Sequence, residues 1–163
     1  MSKRDIARGS VWRQWDLHVH TPASFHWTGK KFDGDMSSPE NRTLIDEMIQ
    51  AMNAAEPAVF AIMDYWTFDG WFALKRRLAE PGAPVLKKIV FPGIELRLSA
   101  PTTKRLNAHV IFAETIPDHH LREFLSDLKL ERTDRAVSKE SLIDLARGTA
   151  CLLYTSDAAA EPP

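Results

Sequence analysis

Two histidines separated by one residue, His18 and His20, are the side chains in this sequence most suited to chemistry. They lie in a short apolar run, D-L-H-V-H-T at residues 16–21, which predicts a β-strand. Because side chains alternate along a strand, Asp16, His18 and His20 would share one face. Neutral imidazole binds zinc, iron or manganese, and a carboxylate such as Asp16 can orient a liganding ring. The pattern predicts a metal site, although two half-buried histidines with backbone partners would show the same spacing.

Further residues could complete such a site. Glu95 follows a Pro-Gly pair, which predicts a turn after which Glu95 begins a strand at the mouth of the site. His109 lies in an otherwise apolar strand, so it must be paired, metal-bound or buried in its neutral form; by itself it favours a satisfied core histidine. His26 lies in the loop after the His-x-His strand, whereas His119 and His120 fall in the first turn of a helix and are expected to be solvated.

The elements that would position these residues alternate between strands and helices. Helices are expected from Pro39 after a Ser38 cap, from about Asp69 to Ala79, after Pro117 with Asp118 as cap, and from near Ser138. After the His-x-His strand, further strands are expected at residues 58–63, 88–91, 95–98 and 106–112. This order predicts an α/β domain with a mainly parallel sheet, open or closed into a barrel. Functional groups then gather at the carboxyl ends of the strands.

The composition is that of an ordinary globular chain, with 163 residues, 44% hydrophobic and 26% charged. A net charge of −1 gives no indication of a nucleic-acid or membrane-surface partner. Because no apolar run approaches the roughly 20 residues that span a bilayer, no membrane partner and a cytoplasmic location are expected. The single cysteine, Cys151, allows neither a disulfide framework nor a thiolate metal site.

The last thirteen residues are set apart from the rest. Residues 151–156, C-L-L-Y-T-S, resemble the translated transposase adapter of sequencing libraries, and the alanines and prolines that follow have no periodicity. Residues 151–163 are therefore expected to be a non-native read-through tail. Residues 1–150 are expected to be the N-terminal part of one domain of a longer protein.

Four segments in order resemble the motif series of the PHP (polymerase and histidinol phosphatase) domain: D-L-H-V-H-T, A-I-M-D-Y, F-P-G-I-E and N-A-H-V-I-F. The resemblance covers about residues 11–145, and the order of several motifs makes it more specific than any one of them. It implies a distorted (β/α)7 barrel, here truncated before closure. It also implies two or three divalent metal ions, zinc, manganese or iron, that hydrolyse phosphate esters.

The metal ligands that the resemblance implies are His18, His20, His26, Asp64, Glu95 and His109. His18 and His20 would bind the first ion, Glu95 would bridge two ions and His109 would bind the second. His26 falls where family members with a third ion have another ligand. Asp16 would orient a liganding imidazole, as its place in the strand also suggests.

The sequence departs from the family pattern at Tyr65, which stands after Asp64 where a histidine ligand is usual. This puts the third ion in doubt and keeps open a degenerate, non-catalytic PHP module. The family's later histidine and closing Asp-x-His would lie beyond Ala150. The opening W-R-Q-W-D-L-H-V-H-T-P-A-S-F most resembles large TrlF-like proteins, which implies a covalently attached AAA-like ATPase module. In that case a non-catalytic PHP module would regulate or recruit the partners of the attached ATPase.

The expected reaction is phosphate mono- or diester hydrolysis by a water that the metal ions activate, with Glu95 and Arg97 as catalytic residues. Arg97, Lys30 and Arg105 are expected to bind the phosphate, as is Lys31. A solvated surface residue is the favoured alternative for the lysines, whereas for Arg97 the two interpretations are balanced. Tryptophans could stack on a nucleobase, which would favour a nucleic acid or nucleotide substrate: Trp27, Trp66 and Trp71. An amidohydrolase-type barrel is a further alternative, opposed by the G-I-E segment.

Overall fold

The computed structural model describes residues 12–34, 38–98, 106–130 and 135–136. The first strands and helices are β1 (Trp15–Val19), α1 (Pro39–Ala54), β2 (Val59–Tyr65) and α2 (Asp69–Ala79). They are followed by β3 (Ile89–Leu98), β4 (Leu106–Ile111), α3 (Asp118–Asp127), β5 (Lys129–Leu130) and β6 (Arg135–Ala136). One compact unit, Met1–Ile116, contains the four-stranded sheet of β1 to β4 with α1 and α2, and a second, Pro117–Pro163, contains α3 and the β5–β6 pair.

The main sheet has the strand order β1-β2-β3-β4 and is curled like part of a barrel. The first three strands are parallel, as the alternation of strands and helices predicts, whereas β4 runs antiparallel to β3. Residues 99–105 separate β3 from β4, and a parallel crossover needs a dozen residues or more. The sheet is therefore mixed, and the prediction of an α/β fold is confirmed at this coarser level.

The helices begin close to where the sequence predicts. The Ser38 hydroxyl caps α1 by accepting a hydrogen bond from the backbone N–H of Asn41 at 3.2 Å, with proline at the first helical position. The buried face of α1 includes Ile45, Ile49 and Met52. Helix α2 has the predicted bounds. In α3, Asp118 is the first helical residue and Pro117 occupies the cap position, so the predicted Asp118 cap is wrong.

Strand β3 is continuous through the Pro-Gly pair, so the predicted turn before Glu95 is wrong. The carbonyl of Pro92 accepts a hydrogen bond from the backbone N–H of Phe112 at 2.8 Å. Proline has no backbone N–H, but its absence at Pro92 does not interrupt the pairing of β3 with β2. A Cβ on Gly93 would lie 2.8 Å from the Ile62 carbonyl oxygen and from Met63 Cε. Glycine at this position therefore lets β3 lie close against β2, whose residues 59–64 are all buried as expected for a central parallel strand.

Several expectations fall outside the described residues: the helix near Ser138, the phosphate ligand Arg105 and the tail of residues 151–163. Among the residues that the structure describes, no helix has the length and apolar character needed to cross a bilayer. The cytoplasmic location stays a prediction.

Candidate metal centre

A β-bulge in β1 shapes the end of the strand that carries the two histidines. Asp16 pairs with Phe60 and Val19 with Ile62, so two residues of β1 lie opposite one residue of β2. The Asp16 carboxylate accepts the backbone N–H of His18 at 3.2 Å and thereby supports the bulge. Simple alternation therefore does not hold through β1, and the expected orientation of an imidazole by Asp16 stays a prediction.

The β3–β4 hairpin supplies the other half of the site. Glu95 pairs with His109 and Arg97 with Asn107 across the antiparallel ladder, so these four side chains share one face of the hairpin. On the other side of β3, Tyr65 is the register partner of Glu95. Since Tyr65 ends β2, the site lies where the parallel strands reach their carboxyl ends.

Two imidazoles converge on the carboxylate of Glu95. His18 Nε2 lies 2.9 Å from Glu95 Oε2, and His109 Nε2 lies 3.7 Å from Oε1. One ligand atom from each of these three residues lies within 4.8 Å of the other two. Glu95 is 1% exposed, whereas the side chains of His18 and His109 are 46% and 38% exposed. The expectation of a buried core histidine at position 109 is therefore wrong, because β4 is half exposed to solvent.

His20 lies beside the same carboxylate, with its Nε2 3.6 Å from Glu95 Oε2. Its Nδ1 lies 3.3 Å from the Ser24 hydroxyl and 3.9 Å from the carboxylate of Asp64. Burial, with the neighbouring His18 in second place, lowers the pKa of His20. The neutral ring, the form that binds metals, is thereby favoured near pH 7.

The donor set of this centre suits a divalent transition metal. Imidazole nitrogen and carboxylate oxygen bind zinc at about 2.0–2.2 Å, which places neighbouring ligand atoms roughly 3–3.5 Å apart. The separations of 2.9 Å for His18 and 3.7 Å for His109 from the Glu95 oxygens bracket that range. The three ligand atoms lie within 4.8 Å of one another, so the residues present fit such an ion once the side chains close in by up to about 1.5 Å.

Glu95 is held from behind by two donors. The Tyr65 hydroxyl donates to Oε1 at 2.6 Å, and the Asn107 side-chain amide donates to the same oxygen at 2.7 Å. Burial by itself would raise the pKa of Glu95, but the hydrogen bonds from Tyr65 and His18, together with the charges of His18 and His109, lower it overall. Burial and the bond to Glu95 raise the pKa of Tyr65, so the phenol stays protonated and donates.

Asp64 is placed behind the cluster and not within it. Its Oδ1 accepts the backbone N–H of Thr21 at 2.7 Å, and its Oδ2 accepts the Thr21 hydroxyl at 2.6 Å. The carboxylate is fully buried, and this burial raises its pKa to about 6 despite the Thr21 bonds. Asp64 thus joins the end of β2 to the residue that follows His20, and coordination of an ion by Asp64 stays a prediction.

His26 and Arg97 meet at the rim of the site. Arg97 Nη2 lies 3.1 Å from His26 Nε2, and the guanidinium carbon lies 5.2 Å from the centre of the Tyr65 ring. His26 is not among the three convergent ligands. Lys30 is exposed, and the ammonium of Lys31 donates to the carbonyl of Phe25 at 2.9 Å. Arg97 is therefore the basic residue that the structure holds against the ring of Tyr65 beside the centre.

The tryptophans differ in what they could contact. Trp71 is 5% exposed, so it belongs to the core and the stacking role predicted for it is wrong. Trp66 is half-buried and takes a left-handed φ of 58°, uncommon for a bulky residue, where β2 ends. Trp27 lines a largely apolar cavity of about 390 Å³ together with His20 and Phe60. Of the three, Trp27 is placed to contact an apolar or aromatic part of a ligand.

Two residues of the site had no role assigned from the sequence. Asn107 lies two residues before His109, so strand periodicity could have placed it on the same face. Thr21 follows His20 and closes the buried pair with Asp64, a contact for which the sequence holds no local signal. A second His/Glu group lies in the other unit, on α3, where His119, His120 and Glu123 are all exposed as the sequence predicts for the two histidines.

Comparison of the chain with protein-family models, with curated proteins and with solved structures finds no match. The PHP resemblance therefore stays a prediction.

Proposed function

We propose that this chain is a metal-dependent hydrolase of phosphate esters. The observation that carries the proposal is the convergence of His18, Glu95 and His109, whose ligand atoms all lie within 4.8 Å of one another. They meet where the parallel strands β1 and β2 reach their carboxyl ends, the place where functional groups gather in α/β folds. A zinc, manganese or iron ion bound there would act as a Lewis acid and lower the pKa of bound water.

The chain's own residues have distinct roles in this proposal. His18, Glu95 and His109 hold the ion, with His20 beside them as a further candidate ligand. The hydrogen bond from Tyr65 favours the ionised form of Glu95, and those from Tyr65 and Asn107 together fix its orientation. Because both donors approach Oε1, Oε2 is the oxygen left to face the imidazole of His18.

Arg97 supports a phosphate ester over an amide as the substrate. Its guanidinium lies on the same face of the hairpin as Glu95 and is held by the Tyr65 ring and His26. A fixed guanidinium binds an anionic phosphate oxygen with charge-assisted hydrogen bonds, whereas a neutral amide gains little from it. The amidohydrolase alternative lacks a comparable observation in its favour.

The remaining parts of the proposal come from the sequence resemblance. They are membership of the PHP family, a (β/α)7 barrel of which the curled sheet is the first part, and a covalently attached ATPase module. Trp27, beside the apolar cavity that His20 also lines, is the observation that favours a nucleotide or nucleic acid as the ester.

The test is hydrolysis of bis(4-nitrophenyl) phosphate and 4-nitrophenyl phosphate by the metal-loaded chain, with dihydroorotate as an amide control. We expect turnover of a phosphate ester that falls roughly 100-fold or more in His18→Ala and Glu95→Gln, because several kcal/mol of metal-dependent stabilisation is lost. His120→Ala, which removes a ligand from the exposed α3 group, is the matched control and should retain full turnover.

Three results would contradict the proposal. Turnover that persists in Glu95→Gln would show that the reaction does not use this centre. Stoichiometric metal without turnover of either ester would favour the binding module, and cleavage of the amide alone would favour the amidohydrolase alternative.

A further inference from the structure

We propose that this centre holds one divalent ion, bound by His18, Glu95 and His109, and that Tyr65 and Asn107 close the position a second ion would need. The inference rests on the proposed function for the presence of a metal and adds the number of ions and the reason for it. It departs from the two or three ions that the sequence resemblance implies. It also gives Tyr65 and Asn107 a role as positioning residues.

The rings of His18 and His109 lie close together. The resemblance assigns His18 and His109 to different ions, yet their ring centroids lie 4.4 Å apart and both rings meet the carboxylate of Glu95. Ions in a two-metal site lie about 3.5–4 Å apart, and imidazoles on the outer side of each ion would be spread considerably further. Rings in edge contact fit a single shared ion better.

The two oxygens of Glu95 differ in the hydrogen bonds that they accept. A carboxylate oxygen offers about two lone-pair directions, and Oε1 already accepts two short hydrogen bonds, from Tyr65 at 2.6 Å and Asn107 at 2.7 Å. A bridging role would require Oε1 to exchange at least one of these donors for a metal ion. Oε2 receives neither of these donors and faces His18 Nε2 at 2.9 Å, so Glu95 is arranged to serve an ion through this one oxygen. His109 Nε2, which lies 3.7 Å from Oε1, would turn towards Oε2 to share that ion.

Asp64 and His26, two other ligands that a second ion could use, already contact other residues. Both oxygens of Asp64 accept hydrogen bonds from Thr21, at 2.7 and 2.6 Å, within a fully buried contact. The Nε2 of His26 meets the guanidinium of Arg97 at 3.1 Å. Within the part of the chain that the structure describes, the ligands predicted for additional ions are thus engaged elsewhere, apart from His20.

The experiment counts ions in the full chain carrying His120→Ala, so that the exposed α3 group does not contribute. The chain is loaded with Mn²⁺, freed of excess metal and measured for manganese per chain by mass spectrometry. Electron paramagnetic resonance of the same sample distinguishes an isolated Mn²⁺ from a coupled pair. We expect one Mn²⁺ per chain with the six-line spectrum of an isolated ion.

The double variant Tyr65→Phe/Asn107→Ala tests the role of the two donors. Tyr65→Phe retains the ring that stacks on His20 at 5.3 Å, while both hydrogen bonds to Oε1 are lost. We expect the count to rise from one towards two Mn²⁺ per chain, with a coupled signal. Circular dichroism checks that the double variant is folded. If it does not fold, the number of Mn²⁺ ions bound by the chain with Tyr65 and Asn107 intact decides the inference.

The outcomes separate this inference from the proposed function. Two coupled ions with Tyr65 and Asn107 in place would overturn the inference and leave the phosphoesterase proposal standing. One ion without ester hydrolysis would support the inference and overturn the proposed function, while no bound ion would overturn both. A double variant that folds and still binds one ion would overturn the closing role of Tyr65 and Asn107.

Discussion

Asp64 is a buried carboxyl whose ionisation is coupled to folding. Its pKa is raised from 3.8 to about 6, first by burial, with the Thr21 hydrogen bonds opposing the shift. Because the folded state binds this proton more tightly than the unfolded state, the contribution of Asp64 to stability falls as pH rises from about 4 to about 6. Above that window the contribution is constant. The full effect is of the order of 3 kcal/mol, at about 1.4 kcal/mol per pKa unit.

Asp64→Asn removes this titration and retains an oxygen that can accept the Thr21 N–H. We expect the free energy of unfolding of the variant to rise relative to the unsubstituted chain between pH 4 and pH 6, and the difference to level off above pH 6. Urea titrations followed by tryptophan fluorescence, with EDTA present, measure both chains across that range. If the free energies of unfolding of the two chains changed in parallel with pH, burial would not raise the pKa of Asp64.

At the scale of elements, the sequence predicts what local rules determine. Ser38 and the proline after it mark the start of α1, and the apolar run from Val59 marks β2 as a buried strand. The interruption expected in β3 is wrong because a Pro-Gly pair usually turns the chain, and only packing against β2 shows that it stays extended here. The direction of β4 depends on the length of the β3–β4 connection, which the alternation of strands and helices does not encode.

In the site, too, local features are predictable and long-range contacts are not. His18, Glu95 and His109 can be predicted as candidate ligands from the sequence, since their residue types limit their chemistry, and the structure brings these three together. The way Tyr65 and Asn107 share one oxygen of Glu95 depends on the register of three strands. No local pattern encodes such a register, because it is decided by long-range pairing.

Helix α2 lies close to the buried Thr21–Asp64 contact, and Gly70 permits this approach. A Cβ at Gly70 would clash with Thr21 Oγ1 and Asp64 Oδ2. Alanine would favour the helix by about 1 kcal/mol, but overpacking in a buried site costs typically 1–3 kcal/mol. We therefore expect Gly70→Ala to lower the free energy of unfolding by up to about 2 kcal/mol, measured by urea denaturation.

Gly34→Ala is the matched control, because a Cβ at Gly34 meets no atom of the described residues within 4 Å. It should change stability by no more than about 0.5 kcal/mol, as is usual for exposed positions. Equal effects of the two substitutions would mean that the close approach of α2 to Thr21 is not required for the fold.

At the scale of the whole molecule, the metal centre and every tryptophan belong to the same compact unit, Met1–Ile116. The five tryptophans of the chain are Trp12, Trp15, Trp27, Trp66 and Trp71. Their fluorescence therefore reports on the unfolding of this unit, whereas circular dichroism reports on both units. A ligand that binds only the folded centre should stabilise this unit through mass action.

Saturating zinc should therefore raise the melting midpoint seen by tryptophan fluorescence. At a free concentration of about 100 times the dissociation constant the stabilisation is about 2.7 kcal/mol, which corresponds to roughly 10 °C for a unit of this size. Glu95→Gln keeps an oxygen for Tyr65 and Asn107 but loses the anionic ligand, so its midpoint should be almost unmoved by zinc. His120→Ala should respond like the unsubstituted chain. If Glu95→Gln gained as much as the unsubstituted chain, the stabilising ion would have to bind away from Glu95, and the centre described above would not be the metal site of this unit.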